Sequence, residues 1–158
     1  MRISFLLTLA VGLALASVGF LAAAADDAKQ EAIKKERKKY EGTWRVTSLE
    51  INGNQSSEED AKKITVVNKL DGVWILQVDG GKITEGTSEI DPTKSPKTID
   101  FMETEGDNKG KIVLGIYELG DEIRKLCCCT EPGGTRPTEF SAPAGSRNML
   151  VTFKREKN

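Results

Sequence analysis

The sequence predicts an all-β fold: an eight-stranded antiparallel up-and-down barrel, with a short N-terminal helix after a signal peptide. Three observations carry this reading. From Gly42 onward, short β-branched runs alternate with Gly, Asp and Asn punctuation at spacings of about eight to twelve residues, the pattern of a sandwich or barrel. Nearly every link is short enough to join antiparallel neighbours, so a meander is the economical topology. The chain of 158 residues, 38% hydrophobic, has enough material for one domain with a core and too little for two.

Residues 1–25 read as the signal peptide. Arg2 precedes an apolar run, and small residues fit an A-x-A cleavage site at Ala22–Ala24 or Ala23–Ala25. This implies an extracytoplasmic location, periplasmic or secreted. The alternative is an uncleaved anchor, because the run is just long enough to span a bilayer. Lys29, Lys34, Lys35, Arg37, Lys38 and Lys39 behind it are of the kind that holds a flank in the cytoplasm. Residues 26–40 form a helical lead-in rich in helix formers, with Ala28, Ala32, Ile33 and Tyr40 as a thin apolar stripe.

The barrel domain takes residues 41–157. Trp44–Ile51 is its first strand, ended by the turn pair Asn52-Gly53. Ser56–Lys63 resembles one or two capped helical turns, with Ser as N-cap and acids behind it. Ile64–Leu70 and Val73–Asp79 form a hairpin about Asp71-Gly72, a strong two-residue turn signal. Lys82–Ile90 follows, then a segment that Pro92 and Pro96 bar from any strand interior. Lys97–Thr104 and Lys111–Leu119 flank a further turn, Glu122–Thr130 comes next, and Asn148–Glu156 closes the set.

Alternation assigns the faces. Met149, Val151 and Phe153 share one side of the last strand, and Ile99 and Phe101 oppose Asp100 in the fifth. In the sixth strand both sides are apolar; the reading places Ile112, Leu114 and Ile116 inward and Val113, Tyr117 and Leu119 outward. The expected lining is therefore Val46, Val66, Leu76, Phe101, Leu114 and Val151. Closure of eight half-buried strands removes both edges and leaves a space that side chains fill or one small ligand occupies.

Gly42-Thr43-Trp44 at the start and Lys154-Arg155 at the end resemble the lipocalin arrangement, in which a Trp closes the barrel base beneath a basic side chain. A cation over an indole face contributes about 0.5–2 kcal/mol. Longer strings, GTWRVTSLEINGN, EGTSEIDPTKSPKTIDF, GIYELGDEI, the Cys run, RPTEF and LVTFKREK, resemble a lipocalin-like secreted domain family of unknown function common in planctomycete-type bacteria. The resemblance spans Tyr40 to Lys157. It implies a barrel outside the cytoplasm and no reaction, since fold alone does not license function. The family pattern has a single Cys in the seventh strand where this chain has Cys127, Cys128 and Cys129; counting from Tyr117 selects Cys127, and counting back from Arg136 selects Cys128.

Composition narrows the function further. With 23 Lys and Arg against 24 Asp and Glu, the chain is no globally basic binder, and no nucleic-acid partner is expected. There is no histidine, which removes the usual proton shuttle and the commonest metal ligand. Three adjacent cysteines match no zinc spacing; they read first as buried strand thiols, then as a redox or soft-metal site, and last as a nucleophile without an activating base. Arg136, Pro137, Thr138, Glu139 and Phe140 read as a rim motif bracing loop to barrel, with Arg136 pairing Glu139 or a strand acid and Phe140 plugging a barrel end. No catalytic residue, cofactor or metal is expected. The preferred reading is a non-enzymatic module holding a small, largely apolar ligand. The alternative is a filled barrel that meets an envelope protein through the apolar outer side of the sixth strand. Membrane contact enters only through an uncleaved leader.

Overall fold

A computed structural model describes residues 14–157, with side chains from residue 24 onward. The leader assigned to residues 1–25 lies outside the described residues except for 14–25, where the backbone is already helical. Helix α1 (Ala14–Tyr40) runs through that stretch and into the lead-in without a break. No helix among the described residues is long and apolar enough to cross a membrane.

Among the described residues nine strands form one antiparallel sheet: β1 (Gly42–Ile51), β2 (Asn54–Gln55), β3 (Ile64–Asn68), β4 (Val73–Val78), β5 (Gly81–Asp91), β6 (Lys97–Glu103), β7 (Ile112–Leu119), β8 (Ile123–Cys129) and β9 (Asn148–Arg155). Each from β3 to β8 pairs with the next, and β1 pairs with both β3 and β9, so the eight long strands close into a barrel. The ninth, β2, is a two-residue return of the Asn52-Gly53 turn. A bulge between Val46 and Ser48 bends β1 where it leaves β3 and continues along β9. The short helix α2 (Glu58–Lys62) bridges β2 and β3, and its N-cap Ser57 Oγ accepts from the Asp60 amide at 3.1 Å.

The meander gives the barrel two ends. At the base, the starts of β1, β4, β6 and β8 meet the ends of β3, β5, β7 and β9, and α1 lies across them. Tyr40 and Trp44 are fully buried there, and the Trp44 indole N–H donates to the Tyr40 carbonyl at 3.0 Å. The helix is fastened to the base. Lys29 pairs with Asp91 at 2.9 Å, Glu36 accepts from Lys97 at 2.6 Å, and Arg37 donates to the Ser88 hydroxyl at 2.9 Å and to its carbonyl. Gly72 makes this approach feasible: its φ is +90°, and a Cβ would lie 2.9 Å from the Ser88 carbonyl and 3.1 Å from the Arg37 guanidinium. The apolar stripe was too thin to reveal this docking because most of the anchors are charged.

One strand is turned over relative to the sequence reading. Phe101 pairs with Val113, Ile99 with Gly115 and Lys97 with Tyr117, and paired residues share a face. Val113 and Tyr117 therefore point inward, while Ile112, Leu114 and Ile116 point outward. Alternation could not choose, because both sides of β7 are apolar. Neighbouring packing does choose: a Cβ at Gly115 would sit 3.0 Å from the Cys128 Cβ and 3.3 Å from Ile99, two inward side chains, so the row that holds Gly115 faces in. Outside, the 131–147 segment folds back over the sheet and buries Ile116 and Cys127.

Candidate functional site: a cavity above a buried arginine

The inward rows leave a cavity of about 400 Å³ between the base and the opposite end, the mouth. Val46, Val66, Leu76, Phe101 and Val151 line it; Leu114 does not, and Val113 takes its place. Most of the lining side chains on β3 and β4 are only half-buried, and Trp74 stands edge-on to Phe101 with centroids 6.0 Å apart. Polar groups sit at the mouth, where Glu103, Asn108, Lys111 and Thr130 contribute. The volume falls within the range of about 300–1,000 Å³ usual for small-molecule sites, and an apolar wall with few polar groups is their usual make-up.

The floor is built from Tyr40, Arg124 and Phe153. Arg124 alternates with Leu126 and Cys128 on the inward face of β8, and it is 1% exposed. Its guanidinium carbon lies 4.1 Å from the Phe153 ring centroid, 4.6 Å from Tyr40 and 4.8 Å from Trp44. Among the described residues, Nε and Nη1 have no hydrogen-bond partner. Burial draws the guanidinium down from its ordinary value; Tyr40 opposes the shift and Arg155 adds to it. An arginine remains charged even so. Sequence reading missed Arg124, although the alternation Arg124, Leu126, Cys128 was available to place it inside.

Below the floor, the barrel-closing motif is assembled. Trp44 pairs with Arg155 across β1 and β9, and the Arg155 guanidinium lies 4.2 Å from the indole. Arg155 also donates to the carbonyls of Glu41 at 2.6 Å, Asp121 at 2.9 Å and Lys39. Lys154 points to solvent, and Gly42, at φ +122°, starts β1 where a Cβ would meet Arg155 at 2.8 Å.

The rim motif is a clamp on the outer wall, not part of the mouth. Arg136 pairs with Asp100 at 2.6 Å, and it donates to the Gly115 and Ile99 carbonyls at 2.6 and 3.1 Å. Its partner is the strand acid; Glu139 instead accepts from Ser141 at 2.9 Å. Pro137 is buried, Thr138 is exposed, and half-buried Phe140 is outside the cavity lining, so the expected plug is not there.

The cysteines are three buried free thiols that the strand divides. Cys127 faces outward and lies 3.4 Å from the Ser141 carbonyl, whereas Cys128 faces the cavity. Cys129 packs against Gly134, and Cys129, like Cys128, borders the cavity. Burial raises the Cys127 thiol and pushes Cys128 up to about 12, so both are protonated at neutral pH and neither is an activated nucleophile. Among the described residues no cluster of metal-ligating side chains is assembled.

These features define a class: a closed antiparallel barrel with one capped end and an apolar interior reached from the other. No family model matches the chain, and comparisons with curated proteins and with solved structures found no match.

Proposed function

We propose that this protein is an exported binding module that holds a small, largely apolar molecule in its barrel and catalyses no reaction. The observation that carries the reading is the 400 Å³ apolar cavity bordered by half-buried aliphatic side chains. A ligand there removes further apolar surface from water at about 25 cal/mol per Å². The leader at residues 1–25 and the resemblance to a secreted lipocalin-like family support the extracytoplasmic setting. The alternative, an envelope-protein contact through the outer side of β7, retains only Ile112, 49% exposed, and half-buried Leu114, because Ile116 lies under the chain's own loop.

The test uses protein recovered from the extracytoplasmic fraction, with an amino terminus near Asp26. N-phenyl-1-naphthylamine, a neutral apolar dye, is titrated into it. Saturable fluorescence with one dye per chain is the expected result. Absence of saturable uptake overturns the binding reading, and recovery from the cytoplasm alone overturns export.

A further inference from the structure

The cavity floor carries a charge that has no counter-ion among the described residues. Buried charges are ordinarily paired and hydrogen-bonded, because desolvating an isolated ion is expensive. Arg124 is 1% exposed, and among the described residues no carboxylate forms an ion pair with it. The aromatic rings of Tyr40, Trp44 and Phe153 attract the cation but offer no in-plane acceptor for its N–H groups. Nε and Nη1 are orphaned as a result. Arg155, which shares the Trp44 indole with it, is a second cation of the same sign. A purely structural plug at this position needs no charge: a Met or Leu of similar volume is often as stable or more so.

What distinguishes Arg124 from a misplaced structural cation is its position. It borders the apolar cavity at the end farthest from the mouth, where a molecule entering head-first comes to rest. We propose that the barrel takes a single-tailed amphiphile whose anionic head accepts hydrogen bonds from Arg124, with the tail along the aliphatic wall toward Lys111 and Glu103. This inference rests on the cavity being a binding site and adds the chemistry that selects the ligand. Size agrees: at roughly 30 Å³ for each water-sized group, 400 Å³ holds on the order of a dozen methylenes.

Four probes of one chain length are compared by competition with the neutral dye: decanoate, decyl sulfate, 1-decanol and decyltrimethylammonium. A hydrogen bond to a charged group favours the anions over the alcohol by about tenfold or more. Decanoate alone showing the preference assigns a carboxylate head, and decyl sulfate alone assigns a sulfate-like head; either supports the proposal. In Arg124→Met the preference falls to about unity while dye uptake persists, and in Arg124→Lys it is partly kept. The wild-type probe series stands without the variants should Arg124→Met fold poorly. Equal binding of decanoate, decyl sulfate and decanol, or a preference for the cation, overturns the anionic-head inference while dye uptake leaves the apolar site standing. A preference that survives Arg124→Met and is lost in Lys111→Gln puts the head at the mouth, and this too overturns it. No uptake of any probe, dye included, sinks both readings together.

Discussion

The base and the mouth of this barrel are made from the same eight strands and are packed in opposite ways. At the base, Trp44, Ile99, Tyr117 and Phe153 are fully or almost fully buried, α1 covers them, and ion pairs fix the cover. Toward the mouth, Leu49, Ile64, Val66, Phe101 and Met149 are only partly buried around open space. A closed eight-stranded sheet sets a roughly constant circumference, so the contents decide whether a given level is solid or hollow. Large rings and an arginine fill the base; higher up, aliphatic chains of moderate length and the Trp74–Phe101 pair leave the middle unfilled. Dense packing is concentrated where the helix docks, and open volume where it does not.

Truncation at the two levels breaks this contrast most directly. Trp44→Ala removes an indole that touches Arg124 and Arg155 and is tied to the Tyr40 carbonyl. The expected loss is about 3–5 kcal/mol, measured by urea unfolding. Leu76→Ala, on the cavity wall, is expected to lose about 1–2 kcal/mol, because its side chain already lacks partner atoms on one side. Equal losses at the two positions mean that the mouth half is as tightly packed as the base and that the hollow does not exist in solution.

A second pair of substitutions sharpens the contrast across the wall of the barrel instead of along its axis. Val113→Trp fills the cavity from β7 and is expected to cut dye uptake at least tenfold with little loss of Tm. Leu114→Trp, one residue along, points outward beside Asp100 and leaves uptake unchanged. The reverse result restores the inward row Ile112, Leu114 and Ile116 and discards the register described here.

That pair also marks where sequence reading succeeds and where it runs out. The eight strands, the Asp71-Gly72 hairpin, the meander and the meeting of Trp44 with Arg155 were all legible, because turn chemistry and β-branched runs are local signals. Five of the six expected lining residues border the cavity, and two of them, Val46 and Phe101, have polar neighbours in Arg45 and Thr47 and in Asp100 on the opposite side of their strands. Leu114 failed because β7 is apolar on both sides, so alternation alone does not fix its parity. On the outer side of β7 the 131–147 segment buries Ile116, and Arg136 holds that segment down through Asp100 and the Ile99 and Gly115 carbonyls, contacts over 21 to 37 residues that no local pattern encodes. Arg124 was passed over for a different reason. Inside a barrel a charged residue contradicts the rule that assigns faces, so it registers as noise until neighbouring strands fix the parity.

The smallest expected effect concerns how the cover is held on the base. Asp91 at the end of β5 accepts from Lys29 of α1, and Thr93 donates to it through both amide and hydroxyl. The Lys29 hydrogen bond, followed by the Thr93 hydroxyl, lowers the Asp91 carboxyl to about 2. Its ordinary value is near 3.8, so the folded state holds this proton more weakly than the unfolded chain. The contribution is then fully present above about pH 4 and is lost as pH falls toward 2. The wild type is expected to lose Tm over that interval relative to Asp91→Asn, which cannot titrate there, and the two should differ least at pH 2. The Lys29 end of the pair is well exposed, so salt screens the effect and 0.5 M NaCl reduces the difference at pH 7. Because Glu36–Lys97 and Arg37–Ser88 remain, α1 stays docked in Asp91→Asn and uptake of the dye is unchanged. A loss of uptake in this variant instead makes the helix a gate to the interior, and the base is then no fixed floor.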